Sequence, residues 1–406
     1  VGLAHLIGLR RLFLKPFNNQ NMRQSWFLWL VLFSGILKAN EIKIRLFATQ
    51  TITQPIVNAK VGNYALVASN EKFQLLDTVF MPMQDVGHHV LYFSKSGQKI
   101  KVFTKDEVLG TFLGLILFPG NQEAEFLVSS NGKDRLYEGK LIIRLFEGQL
   151  QLINWLNMED YVAGVVEAEG GHVDEYEYFK AQAVLARTYA LRNLNKHIRE
   201  GYNLKDDVSS QAFHGKCYLQ NREPIRRAVA ETRGLILIDE MNQPIDGLFH
   251  SNSGGHTANS QDVWSKSIPY LQGKPDPYSI AQPAAVWTKR VPASEVESYF
   301  AGKLKLQDRN GLREALQNFK QEQRQVYFVF GNQKVHLKEV RAHFKLRSTF
   351  FDLTLEGNEY VFFGRGNGHG VGMSQEGAME MARQGFKFDE ILYFYFSKIR
   401  LSGNSN

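Results

Sequence analysis

Between Glu41 and Asn154 hydrophobic and polar residues alternate in short runs. IKIRLF, YALVAS, HHVLYFSKSGQKIKVFT and KLIIRLFEGQLQLINW are separated by clusters of Gly, Asn and Lys, the pattern of strands joined by tight turns. Past Met158 the period lengthens. Val162, Val165, Val166 and Glu169 stand at i, i+3, i+4 and i+7, which predicts a helix with one apolar stripe that stops at Gly170-Gly171. A second helical stretch, rich in Ala, Leu, Arg and Gln, runs from Asp174 to Arg199. Residues 288–325 read as helical and polar, and 326–363 as a return to strands. The expected class is α+β, with a β-rich N-terminal region at 40–140 ahead of a mixed core at 141–406, and 288–350 as a subdomain or insertion.

Composition adds little until the charge is located. The chain has 406 residues, 44% hydrophobic and 22% charged, with a formal net charge of +7. Such a charge suggests a polyanion partner. However, Arg10, Arg11, Lys15, Arg23 and Lys38 lie in residues 1–39 with no acid among them, so only two net charges remain for the rest. The argument for nucleic acid collapses with that count. The same stretch reads as an export address: MRQSWFLWLVLFSGILKAN, Met22 onward, has one Arg, an apolar run and a plausible cleavage site at Ala39. It predicts a periplasmic or cell-envelope protein, or one anchored in the membrane if the signal stays uncleaved. Cys217 is the only cysteine, so no internal disulfide is available and a packing role is expected for it.

Three segments carry polar residues dense enough for chemistry. Glu169 continues a buried stripe; desolvated, it would hold a proton near neutral pH and act as a general acid. A frayed helix end turned to solvent fits the periodicity equally well. Lys180 and Arg187 are seven apart on one helical face, either a grip for an anionic group or a solvated face. DGLFHSNSGGHTANSQDVW, residues 246–264, gathers His250, Ser251, Ser253, His256 and Asp262 around Gly254-Gly255. It lacks the GxSxG elbow of serine hydrolases and the HExxH spacing of zinc hydrolases, leaving a carbohydrate-lining loop or a turn-rich surface loop.

The fourth segment is FFGRGNGHGVGMSQEGA, with glycine at every second position from Gly364 to Gly372. No lysine follows as in a P-loop, and no GxGxxG match is present. If extended, it would show one bare face and one carrying Arg365, Asn367 and His369, and the bare face would let a ligand or another chain segment approach.

Taken together, NMEDYVAGVVEAE with KAQAVLARTYAL, then ETRGLIL with FHSNSGGHT and DVW, then LRSTFF with GRGNGHGVGMSQEGA, resemble the stage II sporulation protein D and amidase-enhancer family, the SpoIID/LytB domain. The resemblance covers roughly residues 140–396. It implies a mixed α+β core with a cleft, bacterial cell-wall glycan as substrate and lytic transglycosylase activity on the MurNAc–GlcNAc bond, or, as the alternative, non-catalytic enhancement of a cell-wall amidase. By resemblance the catalytic glutamate is Glu169, and Lys180, Arg187, Gln211 and His369 fall on polar positions of the cleft; His250, Ser253 and Asn367 join them as expected glycan contacts. The family's Met-Pro after the glutamate is here Gly170-Gly171. Ser209 and Ser210 stand where some members place zinc ligands, so no metal and no other cofactor is expected.

Overall fold

The alternating runs of the N-terminal region form twelve strands: β1 (Glu41–Arg45), β2 (Ile56–Val61), β3 (Tyr64–Ser69), β4 (Leu75–Asp77), β5 (Val90–Ser96), β6 (Lys99–Phe103), β7 (Val108–Phe112), β8 (Gly114–Pro119), β9 (Glu125–Ser130), β10 (Lys133–Glu138), β11 (Lys140–Phe146) and β12 (Gln149–Asn157). This computed structural model describes residues 40–70, 75–77, 90–170, 173–219 and 222–403. The export signal expected at Met22–Ala39 lies outside them. Hairpin β11–β12 shows how local chemistry sets the register. Glu147 and Gly148 both adopt positive φ, 50° and 74°, the two-residue turn whose twist matches that of the strands, and Phe146 pairs with Gln149.

These strands make a seven-stranded sheet and a six-stranded sheet, ordered β13-β1-β12-β11-β8-β3-β4 and β10-β9-β2-β5-β6-β7, where β13 is Leu204–Lys205. One shared apolar cluster takes Ile42, Ile44, Leu115 and Leu152 from the first sheet and Val57, Phe93, Val102 and Phe126 from the second. It continues without a break into the helices, through Val162, Val165, Val166, Val184 and Leu185 to Leu392. The boundary expected near residue 140 therefore falls inside one core, and Lys140 simply opens β11.

The remainder is mixed. Helices α1 (Met158–Gly170), α2 (Tyr176–Arg192) and α3 (Arg222–Glu231) pack together, followed by β14 (Leu235–Asp239), β15 (Phe249–His250) and the short α4 (Ser260–Trp264). A lobe with its own apolar cluster, from Trp287 to Phe362, contains β16 (Val286–Pro292), α5 (Ala293–Lys303), α6 (Leu312–Gln317), β17 (Tyr327–Phe330), β18 (Gln333–His336), α7 (Leu337–His343), β19 (Phe351–Glu356) and β20 (Glu359–Arg365). The helical reading of 288–325 fails at its start: VWTKRVP alternates and pairs along its whole length with β20. The strand reading of 326–363 fails at Leu337–His343, which is helix capped by the His336 side chain. The chain closes with β21 (Met373–Ser374), α8 (Gln375–Arg383), α9 (Phe388–Tyr395) and β22 (Ile399–Gly403), the last paired with β14. No helix among the described residues is long and apolar enough to cross a membrane.

Candidate functional site

Helix α1 carries Glu169 at its C-terminal end, in line with the valine stripe, the first of the two placements its spacing allows. Val162, Val165 and Val166 are fully buried, which locks the helix rotation, and Glu169 is left half-buried one turn further on. Burial pushes its carboxyl above the ordinary value of 4.5, opposed only in part by the Ala212 N–H, which donates to Oε1 at 3.0 Å. An N–H on Oε1 leaves the acid proton for Oε2. The backbone is fixed too: Gln375 Nε2 donates to the Glu169 carbonyl at 3.3 Å and to the Tyr178 hydroxyl at 3.4 Å. Next to Ala212, Gln211 is buried; its Oε1 accepts from the Tyr161 hydroxyl at 3.1 Å, and its Nε2 has no partner among the described residues. Glu167 turns elsewhere, accepting from the Leu219 N–H at 2.8 Å.

The glycine-rich segment does not run extended past β20. Gly366, Gly368, Gly370 and Gly372 all take positive φ, which a residue with a Cβ adopts at a cost. Protein, not solvent, fills the bare side. A Cβ on Gly364 would enter the Trp287 indole, on Gly366 the backbone of Asn252 and Ser253, on Gly368 the His250 Cβ and on Gly370 the Arg324 guanidinium. The segment is thus threaded against residues 248–254. Asn252 and Asn367 exchange backbone hydrogen bonds at 3.1 and 2.8 Å, and β15 pairs with β21 in parallel, His250 opposite Ser374.

That threading brings three rings into a tilted row. His250 is buried, with Nδ1 on the Val371 carbonyl at 3.1 Å and Nε2 unpartnered among the described residues. His369 lies 5.5 Å away, centroid to centroid, and Trp264 a further 5.1 Å from His369. Burial, with Arg341 and Arg324 nearby, lowers His369 to about 4, so it is neutral at pH 7; its Nδ1 accepts from the Val371 N–H at 3.1 Å. Arg324 reaches in from the lobe to donate to the carbonyls of His256 and Ser253 at 2.7 and 2.6 Å.

The profile of the family described as SpoIID, Stage II sporulation protein, matches residues 146–238. Stage II sporulation protein D of Bacillus amyloliquefaciens is 30% identical over 298 residues, 70% of this chain and 86% of the relative. The protein of the same name from Bacillus subtilis (strain 168) is 29% identical over 287 residues, 68% and 82%. This chain belongs to the stage II sporulation protein D family. A relative named Amidase enhancer, also from Bacillus subtilis (strain 168), is 25% identical over 287 residues, 57% of this chain but 39% of the relative.

Not every residue that the family resemblance marked reaches an open site. Arg187 is buried: its guanidinium clasps Glu159, with Nε at 3.0 Å from Oε1 and Nη2 at 2.5 Å from Oε2, and Nη1 donates to the Leu235 carbonyl at 3.0 Å. Lys180 bonds Glu231 at 2.8 Å and Glu177 at 3.3 Å. The seven-residue spacing put both on one face, but Arg187 is buried in the core and Lys180, only partly buried, is already paired with two acids. Ser253 is fully buried and donates to Asp276 Oδ2 at 2.7 Å, with Ser279 Oγ equally close; no imidazole bonds it among the described residues. NSGG is therefore a buried hub, where Asn252 Nδ2 ties the Ser279 carbonyl at 2.9 Å to Glu376 Oε2 at 2.6 Å. Cys217 is buried, and its thiol is held up by that burial. Gln375 and Trp264 were missed. Both sit inside conspicuous blocks, GMSQEG and QDVW, but no periodicity singled them out.

Proposed function

We propose that the protein is a peptidoglycan lytic transglycosylase that uses Glu169 alone as acid and base. The observation that carries the reading is a half-buried carboxyl whose proton affinity is raised, with Oε1 hydrogen-bonded and its backbone carbonyl held by Gln375. Protonated Glu169 would donate from Oε2 to the glycosidic oxygen as the C1–O bond of MurNAc breaks. The resulting carboxylate would take the proton of the MurNAc 6-hydroxyl as that oxygen bonds to C1, giving a 1,6-anhydro end and regenerating the acid. The nucleophile belongs to the substrate, so the second carboxylate of ordinary glycosidases is not required. Lys180 and Arg187, the pair that could have gripped an anionic group, are both engaged by acids, so the proposal gives them no contact with the glycan.

The relative whose name states a role, Amidase enhancer, favours a second reading: the chain binds wall glycan and stimulates an amidase partner without cutting. In either case the protein works in the cell envelope. Mass spectrometry of purified glycan strands incubated with the protein decides. Anhydro-terminated fragments establish the first reading; intact strands, with faster peptide release only when an amidase is added, establish the second.

A further inference from the structure

Trp264 exposes 46% of its surface, yet nothing about its position is loose. It ends α4, whose first residues are pinned: Asn259 Nδ2 donates to Asp262 at 2.8 Å, Asn259 Oδ1 accepts from the Gly273 N–H at 2.9 Å, and Ser260 Oγ accepts from the Ile268 N–H at 2.9 Å. Ser265 then turns the chain through a left-handed conformation, φ 62°. The indole abuts His369, itself backed by the buried His250. Through Ser374, paired with His250, and Gln375, bonded to Glu169 and Tyr178, the same strand pair runs on to the candidate acid.

A large aromatic held rigid and half in water contributes little to the core, while it loses almost no conformational freedom when something docks on it. Its neighbour His369 is neutral at pH 7, so the ring that backs the indole adds no charge of its own. We propose that Trp264 is the stacking platform of a glycan subsite, taking the apolar face of one pyranose ring of the strand. This rests on the glycan-binding part of the proposed function, not on cleavage.

The test titrates purified peptide-free glycan strands into the full chain, its Trp264→Ala and Trp264→Phe variants and Glu169→Gln, following tryptophan emission and, independently, calorimetry. Trp264→Ala is expected to weaken binding about tenfold, as loss of one aromatic contact does, and Trp264→Phe less; the native emission moves to the blue and that of Trp264→Phe does not. Circular dichroism unchanged in both variants shows the fold intact, as exposure of the side chain predicts. Unchanged affinity in Trp264→Ala overturns the subsite while leaving the acid untouched. Loss of amidase stimulation with glycan affinity unchanged overturns it in favour of a protein contact. No binding by the native chain overturns both the subsite and the glycan reading. Cleavage by Glu169→Gln alongside weakened binding by Trp264→Ala would sink the acid and keep the subsite.

Discussion

Replacing Arg187 by alanine separates a structural ion pair from a substrate contact. Arg187 is 1% exposed and ties four elements together: Glu159 at the start of α1, its own helix α2, the Val229 carbonyl of α3 and the Leu235 carbonyl of β14. Removing one member of a buried pair typically costs ~3–5 kcal/mol, because the partner stays behind as an uncompensated charge. Here Glu159 keeps 17% of its side chain exposed, so water relieves part of that charge and draws this term to about 3 kcal/mol. Two carbonyls that lose a charged donor add roughly 1 kcal/mol each. The expected loss is therefore about 4–5 kcal/mol, a large part of a typical domain's 5–15 kcal/mol. Urea denaturation of Arg187→Ala measures it. The double variant Arg187→Met with Glu159→Leu should recover most of the loss, since an apolar pair of similar volume replaces the ions. An Arg187→Ala protein with native stability and weakened glycan binding would refute this reasoning and restore Arg187 to the substrate.

Glu169→Gln should lower cleavage by ~10⁴-fold or more, one group serving as both acid and base, measured by release of anhydro ends. It should also stabilise the protein at neutral pH. The folded carboxyl titrates above its unfolded value of 4.5, so its contribution is fully present below 4.5 and lost as pH rises through the folded value; the amide loses nothing. Unfolding free energies of the two proteins should coincide at pH 3 and separate above 4.5. Gly364→Ala should cost ~1–3 kcal/mol by overpacking, since its Cβ would enter the Trp287 ring; a thermal melt reads it. Ser209 and Ser210 offer backbone and hydroxyl contacts to Asp207, Lys196 and Lys205, so wall-cleaving activity should survive a chelator, and loss of activity restored by zinc would overturn that.

What could be read from the sequence was what local spacing determines. The stripe Val162, Val165, Val166, Glu169 specifies one face of one helix, but the spacing fits a glutamate turned to solvent equally well, because the Ala212 N–H and the Gln375 amide that hold it come from other segments. The Glu147-Gly148 hairpin is local. Lys180 and Arg187 show the limit: a seven-residue spacing says that two side chains share a face but not what covers it, and Glu159, Glu231 and the Leu235 carbonyl come from other elements. The strand Val286–Pro292 was lost because its outward Thr288 and Arg290 are polar, so the segment blended with the polar helices after it, whereas its pairing with residues 359–365 is seventy positions away.

The alternation of glycines from Gly364 to Gly372 has the same cause read in reverse. Each glycine meets a different remote partner, Trp287, Asn252, His250, Arg324 and Leu248 in turn, so no single motif logic could name the reason for the pattern. The consequence concerns the lobe. Strand β20 belongs to the lobe's sheet and leads without a break into the segment carrying His369. Trp287, a member of the lobe's core, donates from Nε1 to the Gly366 carbonyl at 2.9 Å, and Arg324 holds the carbonyls of Ser253 and His256 beneath the same segment. Burial, with Arg365 and Arg341 nearby, lowers the Arg324 guanidinium to about 10, so it is charged at neutral pH and faces those two carbonyls and the Phe350 ring, 4.9 Å away. The lobe is thus tied to the candidate site twice, through the strand that leads into the His369 segment and through the Arg324 guanidinium beneath it.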